Sequence, residues 1–119
     1  MLRKSKKLDF VEKEKIIAII RTDDFSVAEN CTSSLIEGGV KCIELTFTCR
    51  FAHSMLERLA QKFGSDALIG AGTILDSETA RIALLSGAEF FCDAVCQRRG
   101  HKAWQQIRRA YVSGCVFRY

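Results

Sequence analysis

The sequence predicts an α/β fold built from parallel βα repeats. Short apolar segments recur about every 20–26 residues, and they begin near residues 16, 42, 68 and 89. Between them, apolar residues return at helical spacing, and glycine ends each helical stretch. Segment 36–43 also resembles segment 84–91, because each passes from a helix end through glycine into an apolar strand. Strands that alternate with helices in this way are typical of a parallel sheet covered by helices.

The individual elements follow from local patterns. A lead-in helix is expected over residues 8–15, and the continuous apolar run 16–20 is expected to form the first buried strand. The other predicted elements, in chain order, are a helix from about 24 to 37, a strand over 40–48, a helix over 52–63, a strand over 67–73, a helix over 76–86 and a strand over 88–91. Two architectures fit this order: a doubly wound sheet, or about the first half of a (β/α)8 TIM barrel. A whole barrel needs at least about 200 residues, and the chain has 119.

Charge and cysteine content narrow the class of protein. Residues 1–90 carry 12 basic and 13 acidic groups, whereas residues 91–119 carry six basic groups and one acidic group. The net charge of +4 therefore belongs to the tail. The chain has six cysteines, but its basic start is not followed by the apolar segment of a secretory signal, and no early apolar run is long enough to span a bilayer. We expect a cytoplasmic protein with reduced thiols and no membrane partner.

The strand over residues 40–48 carries an acid among apolar and small side chains. Alternation along a strand places Ile43 and Leu45 on one face and Glu44 on the other. A carboxylate inside a sheet is costly unless it is hydrogen-bonded or used in chemistry. Two interpretations stay open on these grounds. Glu44 is bonded to a neighbouring strand or to water, or it is a proton-transfer group whose pKa burial raises toward neutrality.

Two motifs carry a resemblance to a known family. Segment 43–48 reads IELTFT and segment 69–75 reads IGAGTIL. Together with Phe51-Ala52-His53 and segments 16–21 and 35–39, they resemble the bacterial family of 2-keto-3-deoxy-6-phosphogluconate and 4-hydroxy-2-oxoglutarate aldolases. The resemblance covers about residues 10–91. It implies a (β/α)8 barrel, usually a homotrimer, that cleaves a keto acid through a lysine Schiff base without metal or cofactor. Pyruvate is one product, as in Entner–Doudoroff carbohydrate metabolism.

The resemblance assigns roles to four residues, and a fifth, Gly72, is added on physical grounds. Glu44 matches the glutamate that moves protons in carbinolamine formation and carbon–carbon cleavage. Thr73 matches a residue near the substrate carboxylate, Arg21 matches another substrate-facing position, and Thr48 stands where many members have arginine. Gly72 is expected to let the ligand approach the backbone closely. Alternatives remain open for two of them: Thr73 as a hydroxyl that precedes a helix, and Arg21 as a solvated loop charge.

The lysines of this chain are expected to lie away from Glu44. Five of the eight fall in or before the lead-in helix, Lys41 enters the second strand at its N-terminal end, Lys62 ends a helix, and Lys102 is in the tail. The family's Schiff-base lysine lies on a later strand. We therefore expect this chain alone to be inactive. We also expect its first and fourth strands to be open edges, with a solvated inner face around Ala18, Glu44 and Ala71.

The resemblance stops after Phe91, so we expect residues 1–91 to be the N-terminal half of the aldolase domain and residues 92–119 to be an aberrant tail. When the tail is back-translated and read one nucleotide later, it permits family-like residues and restores proline, which the chain lacks. We therefore expect a frame slip near residue 91. The DNA beyond Tyr119, read in the alternative frame, is then expected to encode the remaining half of the barrel, and its sequence tests the idea.

Three other interpretations compete. One is a zinc site formed by Cys92, Cys96, His101 and Cys115, whose spacing matches zinc sites poorly. Another is a non-catalytic half-barrel whose basic tail, with Arg98, Arg99, Arg108 and Arg109, binds nucleic acid or a protein partner. The third is a different phosphate-binding (β/α)8 lyase or isomerase. The favoured interpretation has a small keto acid as its partner, with neither a metal nor nucleic acid.

Overall fold

The computed structural model describes residues 4–93 and 110–113. In chain order the elements are α1 (Lys4–Glu14), β1 (Ala18–Ile20), α2 (Phe25–Glu37), β2 (Cys42–Thr46), α3 (Ala52–Phe63), β3 (Leu68–Gly72), α4 (Ser77–Leu85), β4 (Phe90–Asp93) and β5 (Ala110–Ser113). The strands form one parallel sheet in the order β1-β2-β3-β4-β5. The predicted α/β fold of parallel repeats is therefore confirmed.

The strand register gives the sheet two distinct faces. Leu45 lies beside Ala71, and Ala71 lies beside Phe91, so their side chains share one face. These residues belong to the main apolar core, which the helices cover. Glu44 lies between Ile19 and Gly70 and points to the opposite face. The predicted alternation along β2 is confirmed.

Helix α3 shows how the core is assembled. Its bounds agree with the prediction from helical spacing, and its buried side chains recur every three or four residues: Ala52, Met55, Leu56, Leu59 and Phe63. Burying the Met, Leu and Phe side chains among them contributes about 1.5–3 kcal/mol each. Helix α3 therefore packs on one face of β2 and β3, and the opposite face remains available to polar groups.

An aspartate caps the N-terminus of each of the helices α2 and α4, which lie on either side of α3 in the chain. The Asp24 carboxylate accepts hydrogen bonds from the backbone N–H groups of Ser26 and Val27, and the Asp76 carboxylate accepts one from Thr79. These bonds favour the ionised form, so they hold the pKa of both carboxyl groups below the ordinary range. Capping of this kind fixes where α2 and α4 start, just beyond the C-terminal ends of β1 and β3.

Helix α1 packs near the N-terminal edge of the sheet. It starts earlier than the predicted lead-in helix, at Lys4, and it brings Lys7 to a position that is only 2% exposed. The Lys7 ammonium forms an ion pair with Glu89, just before β4. Within residues 4–93 and 110–113, no helix combines the length and apolar character that crossing a bilayer requires.

Two expectations about the sheet are wrong. The fourth strand is not an edge, because Phe91 and Cys92 pair with Tyr111 and Val112 of β5. Ala18 and Ala71 do not line the polar face, because their register places them with the covered core. Strand β1 does lie at an edge, and among the described strands its neighbour is β2. It begins at Ala18, two residues later than predicted, and it follows a left-handed turn at Lys15 with φ of 59°.

Candidate active site

The polar face of the sheet is centred on Glu44. Its side chain is 5% exposed. In register Glu44 lies beside Gly70, yet its carboxyl group lies over Gly72, two residues nearer the C-terminal edge. A Cβ atom placed on Gly72 would stand 1.3 Å from Glu44 Oε1 and 2.1 Å from Cδ. The carboxyl group therefore leans toward the edge where parallel α/β barrels bind their substrates.

The Glu44 carboxyl group, from β2, contacts a thiol of β4, on the far side of β3. Cys92 lies beside Gly72 in β4, and its thiol donates a hydrogen bond to the Glu44 carboxylate. Burial raises the pKa of Glu44 above the ordinary value, and the bond from Cys92 opposes this rise only in part. Burial and the nearby Glu44 charge raise the pKa of Cys92. The thiol thus stays protonated and acts as a donor.

The two glycines of β3 make room for protein side chains. A Cβ on Gly70 would stand 2.6 Å from Cε1 of the Phe90 ring, and a Cβ on Gly72 would overlap the Glu44 carboxyl group. The space over Gly72, which is expected to serve the ligand, holds the Glu44 carboxyl group in the structure, and the space over Gly70 holds the Phe90 ring. Contact between Gly72 and the substrate stays a prediction. The space over both glycines explains how a large ring and a buried acid fit on one face.

The other predicted substrate residues all lie at the C-terminal edge of the sheet. Arg21 follows β1 directly and is exposed, and Thr48 lies two residues beyond β2 and is also exposed. Thr73 follows β3, is partly buried, and has a left-handed φ of 55°. Its backbone N–H donates to the carbonyl of Cys92 at 3.1 Å. The structure therefore places these residues at one edge, and Thr73 lies beside the residue that bonds Glu44.

Arg21 also borders a groove on the outer side of β1. The groove has a volume of about 620 Å³ and lies between β1 and α2, with Ile19, Val27 and Leu35 among its lining residues. Glu44 does not line this groove. The position of Arg21 at the edge agrees with the prediction, and its role in binding the substrate stays a prediction.

Sequence reasoning missed two contacts at this edge. The Asp23 carboxylate accepts a hydrogen bond from the backbone N–H of Arg50 at 2.8 Å, so the loop after β1 is joined to the loop after β2. The second is the bond from Cys92 to Glu44. Strand alternation from Phe90 could have placed Cys92 on the polar face, but no sequence pattern shows that a carboxyl group spans β3 to reach it.

The described lysines lie away from this edge or on the outer surface. Lys41 is exposed at the N-terminal end of β2, Lys62 is exposed in the last turn of α3, and Lys7 is paired with Glu89. Lys102 lies outside the described residues. So do three of the predicted zinc ligands, Cys96, His101 and Cys115, and the tail arginines Arg98, Arg99, Arg108 and Arg109. Among the described side chains, no group of three or more His, Cys, Asp or Glu could hold a metal ion.

Known proteins resemble both the sequence and the fold. The family model for KDPG and KHG aldolases matches residues 8–116. The 2-dehydro-3-deoxy-phosphogluconate aldolase of Treponema pallidum is 32% identical over 80 residues, which is 67% of this chain and 38% of the relative. The match to the family model extends beyond Phe91, and the frame slip near that residue stays a prediction.

Among solved structures, two aldolases share this architecture. The KDPG aldolase of Legionella pneumophila, with pyruvate captured as a covalent carbinolamine, has a TM-score of 0.75 and 27% identity, covering 82% of this chain and 47% of that one. The aldolase of Zymomonas mobilis with 3-phosphoglycerate has a TM-score of 0.74 and 22% identity, covering 82% and 46%. The matched part of this chain therefore spans less than half the length of each of these three relatives, consistent with half of a barrel.

Proposed function

Because this chain belongs to the family of KDPG and KHG aldolases, we propose that it supplies the proton-transfer part of a class I aldolase site. The proposed reaction is the reversible cleavage of 2-keto-3-deoxy-6-phosphogluconate or 4-hydroxy-2-oxoglutarate. Pyruvate is one product, and the other is a phosphorylated aldehyde or glyoxylate. The observation that carries the proposal is the buried Glu44 carboxyl group over Gly72, directed toward the C-terminal edge of the sheet.

Glu44 has the properties that this chemistry requires. A class I aldolase joins a lysine amine to the substrate carbonyl and then loses water. In its protonated form the Glu44 carboxyl group donates the proton that lets the carbinolamine hydroxyl leave as water. In its ionised form it accepts the proton from the substrate hydroxyl while the carbon–carbon bond breaks. Burial raises the pKa of Glu44 and so brings both forms closer to use at neutral pH.

The edge residues complete the proposal. The Thr73 hydroxyl donates a hydrogen bond to the substrate carboxylate. The Arg21 guanidinium, at the end of β1, attracts an anionic group of the substrate. Thr48 has a hydroxyl where many family members have arginine, so it binds a carboxylate more weakly than that arginine does. Because Gly72 has no side chain, a substrate can reach the Glu44 carboxyl group.

The amine nucleophile must come from outside the described half of the site. The carbinolamine captured in the Legionella enzyme supports a lysine mechanism for the family. No described lysine lies at the C-terminal end of a strand beside Glu44. We therefore propose that the 119-residue chain is inactive by itself, and that the complete site belongs to a cytoplasmic homotrimer that uses no metal or cofactor.

A chimera tests the proposal. Residues 1–93 of this chain, which end with β4, are joined to the segment of the Legionella aldolase that follows its fourth strand, and pyruvate release from 2-keto-3-deoxy-6-phosphogluconate is measured. We expect activity that Glu44→Gln lowers by about 100-fold or more, the range for a general acid–base group. Glu57→Gln, an exposed glutamate on α3, is the matched control and should leave the rate unchanged. A well-folded chimera whose rate does not respond to Glu44→Gln would contradict the proposal.

A further inference from the structure

We propose that Cys92 is a positioning residue, whose thiol hydrogen bond holds the Glu44 carboxyl group over Gly72 with one oxygen directed at the substrate. The inference deepens the proposed function and rests on it for the role of Glu44 in proton transfer. The hydrogen bond itself is a feature of this chain and can be measured without any reaction.

The geometry of three adjacent strands sets up this contact. Glu44 belongs to β2, Gly72 to β3 and Cys92 to β4, and Gly72 and Cys92 lie side by side in register. With hydrogen in place of a side chain at Gly72, the Glu44 carboxyl group crosses β3 and reaches the Cys92 thiol. The Thr73 N–H bond to the Cys92 carbonyl, at 3.1 Å, fixes the backbone of β4 at the same level. Each part of the contact therefore rests on the ordered sheet.

A thiol suits this task because it holds the carboxyl group without fixing its charge. A thiol is a weaker hydrogen-bond donor than a guanidinium or an ammonium. An arginine in this place would keep Glu44 ionised, whereas the thiol only offsets part of the effect of burial. Since one thiol carries one proton, it engages one carboxylate oxygen. The second oxygen is left to exchange a proton with the substrate.

The groups that face the pair are few among the described residues. Cys42, from β2 itself, is the further titratable group that acts on Cys92. Burial, and to a lesser degree the Glu14 charge, raise the pKa of Cys42 to about 11, so it is neutral at physiological pH. From β1 the register neighbour of Glu44 is Ile19, and from β4 the apolar ring of Phe90 lies over Gly70. Thr46, two residues after Glu44 on the same face, is buried and lies beside Gly72 in register. Among these groups, the Cys92 thiol is the one that hydrogen-bonds Glu44.

The first test follows the Glu44 carboxyl carbon by NMR in the 119-residue chain, with Glu44→Gln used to assign the signal. Cys92→Val removes the donor, so the midpoint of the Glu44 titration should rise by about one pH unit, as expected for loss of one hydrogen bond to a charged group. Cys92→Ser keeps a donor and should hold the midpoint near that of the wild type. Cys42→Val, which removes another buried thiol from the same face, should shift it far less.

A second measurement observes the thiol directly. In the infrared spectrum, the S–H stretching band that disappears in Cys92→Ser should lie at lower frequency than the band that disappears in Cys31→Ser, because Cys31 is exposed. Glu44→Ala should move the Cys92 band back toward the band of Cys31. An unchanged Glu44 midpoint in Cys92→Val, or a Cys92 band unaffected by Glu44→Ala, overturns the inference.

These outcomes are separate from the fate of the proposed function. Suppose that the chimera cleaves the keto acid at a rate that falls in Glu44→Gln, but that Cys92→Val does not change the midpoint of the Glu44 titration. The proposed function then stands and the positioning role is wrong. In an active chimera, Cys92→Val should also shift the acidic limb of the pH–rate profile in the same direction as the NMR midpoint, and Cys92→Ser should restore it. A merely structural role would lower the rate at every pH without moving that limb.

Discussion

The Glu44 carboxyl group occupies the space that a side chain at Gly72 would need. A Cβ there would stand 1.3 Å from Glu44 Oε1, so the carboxyl group would have to move to make room for it. Gly72→Ala should therefore displace the carboxyl group from the thiol of Cys92 and strain the sheet. We expect a loss of about 1–3 kcal/mol in the free energy of unfolding, measured by urea denaturation.

The matched control removes the partner of the clash. In a Glu44→Ala background the space over Gly72 is empty, so adding Gly72→Ala should cost much less than it does in the wild-type chain. A double-mutant cycle over these four proteins gives the coupling directly. Equal costs in both backgrounds would mean that Glu44 does not lie over Gly72.

Glu44 should make the stability of the chain fall as pH rises. Folding raises the pKa of Glu44 above its ordinary value of 4.5 because burial disfavours the charged form. The stabilising effect of the neutral form is complete below this value and is lost as pH rises through the raised pKa. The loss is about 1.4 kcal/mol for each pH unit by which folding raises the pKa.

Glu44→Gln, which is neutral at every pH, provides the comparison. The difference in free energy of unfolding between the variant and the wild type should shift in favour of the variant as pH rises above 4.5. It should then level off once Glu44 is ionised in the folded state. Urea denaturation at closely spaced pH values measures it. A difference that is constant with pH would show that the pKa of Glu44 is not raised.

Lys7 should contribute more to stability than an exposed lysine does. Its side chain is 2% exposed and paired with Glu89. Lys7→Ala should cost about 3 kcal/mol, the lower end for breaking a buried pair, because Glu89 keeps some contact with water. Lys62→Ala, where the lysine is 58% exposed and paired with Glu29, should cost at most about 1 kcal/mol. Similar losses in the two variants, measured by urea denaturation, would argue against burial of Lys7.

The edge of β1 should promote self-association. Ile19 is 62% exposed on this strand, and an apolar strand edge with unpaired backbone groups invites pairing with another chain. Ile19→Lys should reduce the average mass measured by light scattering after size exclusion. Leu85→Lys, which replaces a 76% exposed residue on α4, is the control and should change it less. A wild-type chain that is monomeric at high concentration would contradict this expectation.

The 119-residue chain should form no imine with pyruvate. A class I aldolase needs a deprotonated lysine amine beside its general acid–base group, and the described lysines lie away from Glu44. After incubation with pyruvate and borohydride, the intact mass should therefore be unchanged. In the active chimera the same treatment should add one pyruvate-sized adduct. An adduct on any lysine of the 119-residue chain would refute the expectation.

Local sequence patterns were sufficient for much of this structure. The apolar spacing of α3, the glycine stops and the alternation along β2 predicted the element order and the face of Glu44. The placement of Arg21, Thr48 and Thr73 at the ends of strands also followed from chain order, because parallel strands share one C-terminal edge.

Contacts between distant segments could not be predicted in the same way. The burial of Lys7 depends on how α1 packs against the sheet, and the bond from Cys92 to Glu44 depends on the register of three strands. Ala18 and Ala71 were assigned to the wrong face, since a strand register shift of one residue exchanges the two faces. Pairing between β4 and β5 likewise joins segments that no local pattern connects.

The bond between Asp23 and Arg50 makes unequal demands on its two residues. Position 23 must supply a carboxylate oxygen, whereas position 50 contributes only its backbone N–H, which every residue except proline possesses. The side chain at position 50 is therefore open to redesign while the two loops remain tied together. It offers an engineer a place to set the charge at the C-terminal edge without disturbing the loop that carries Arg21.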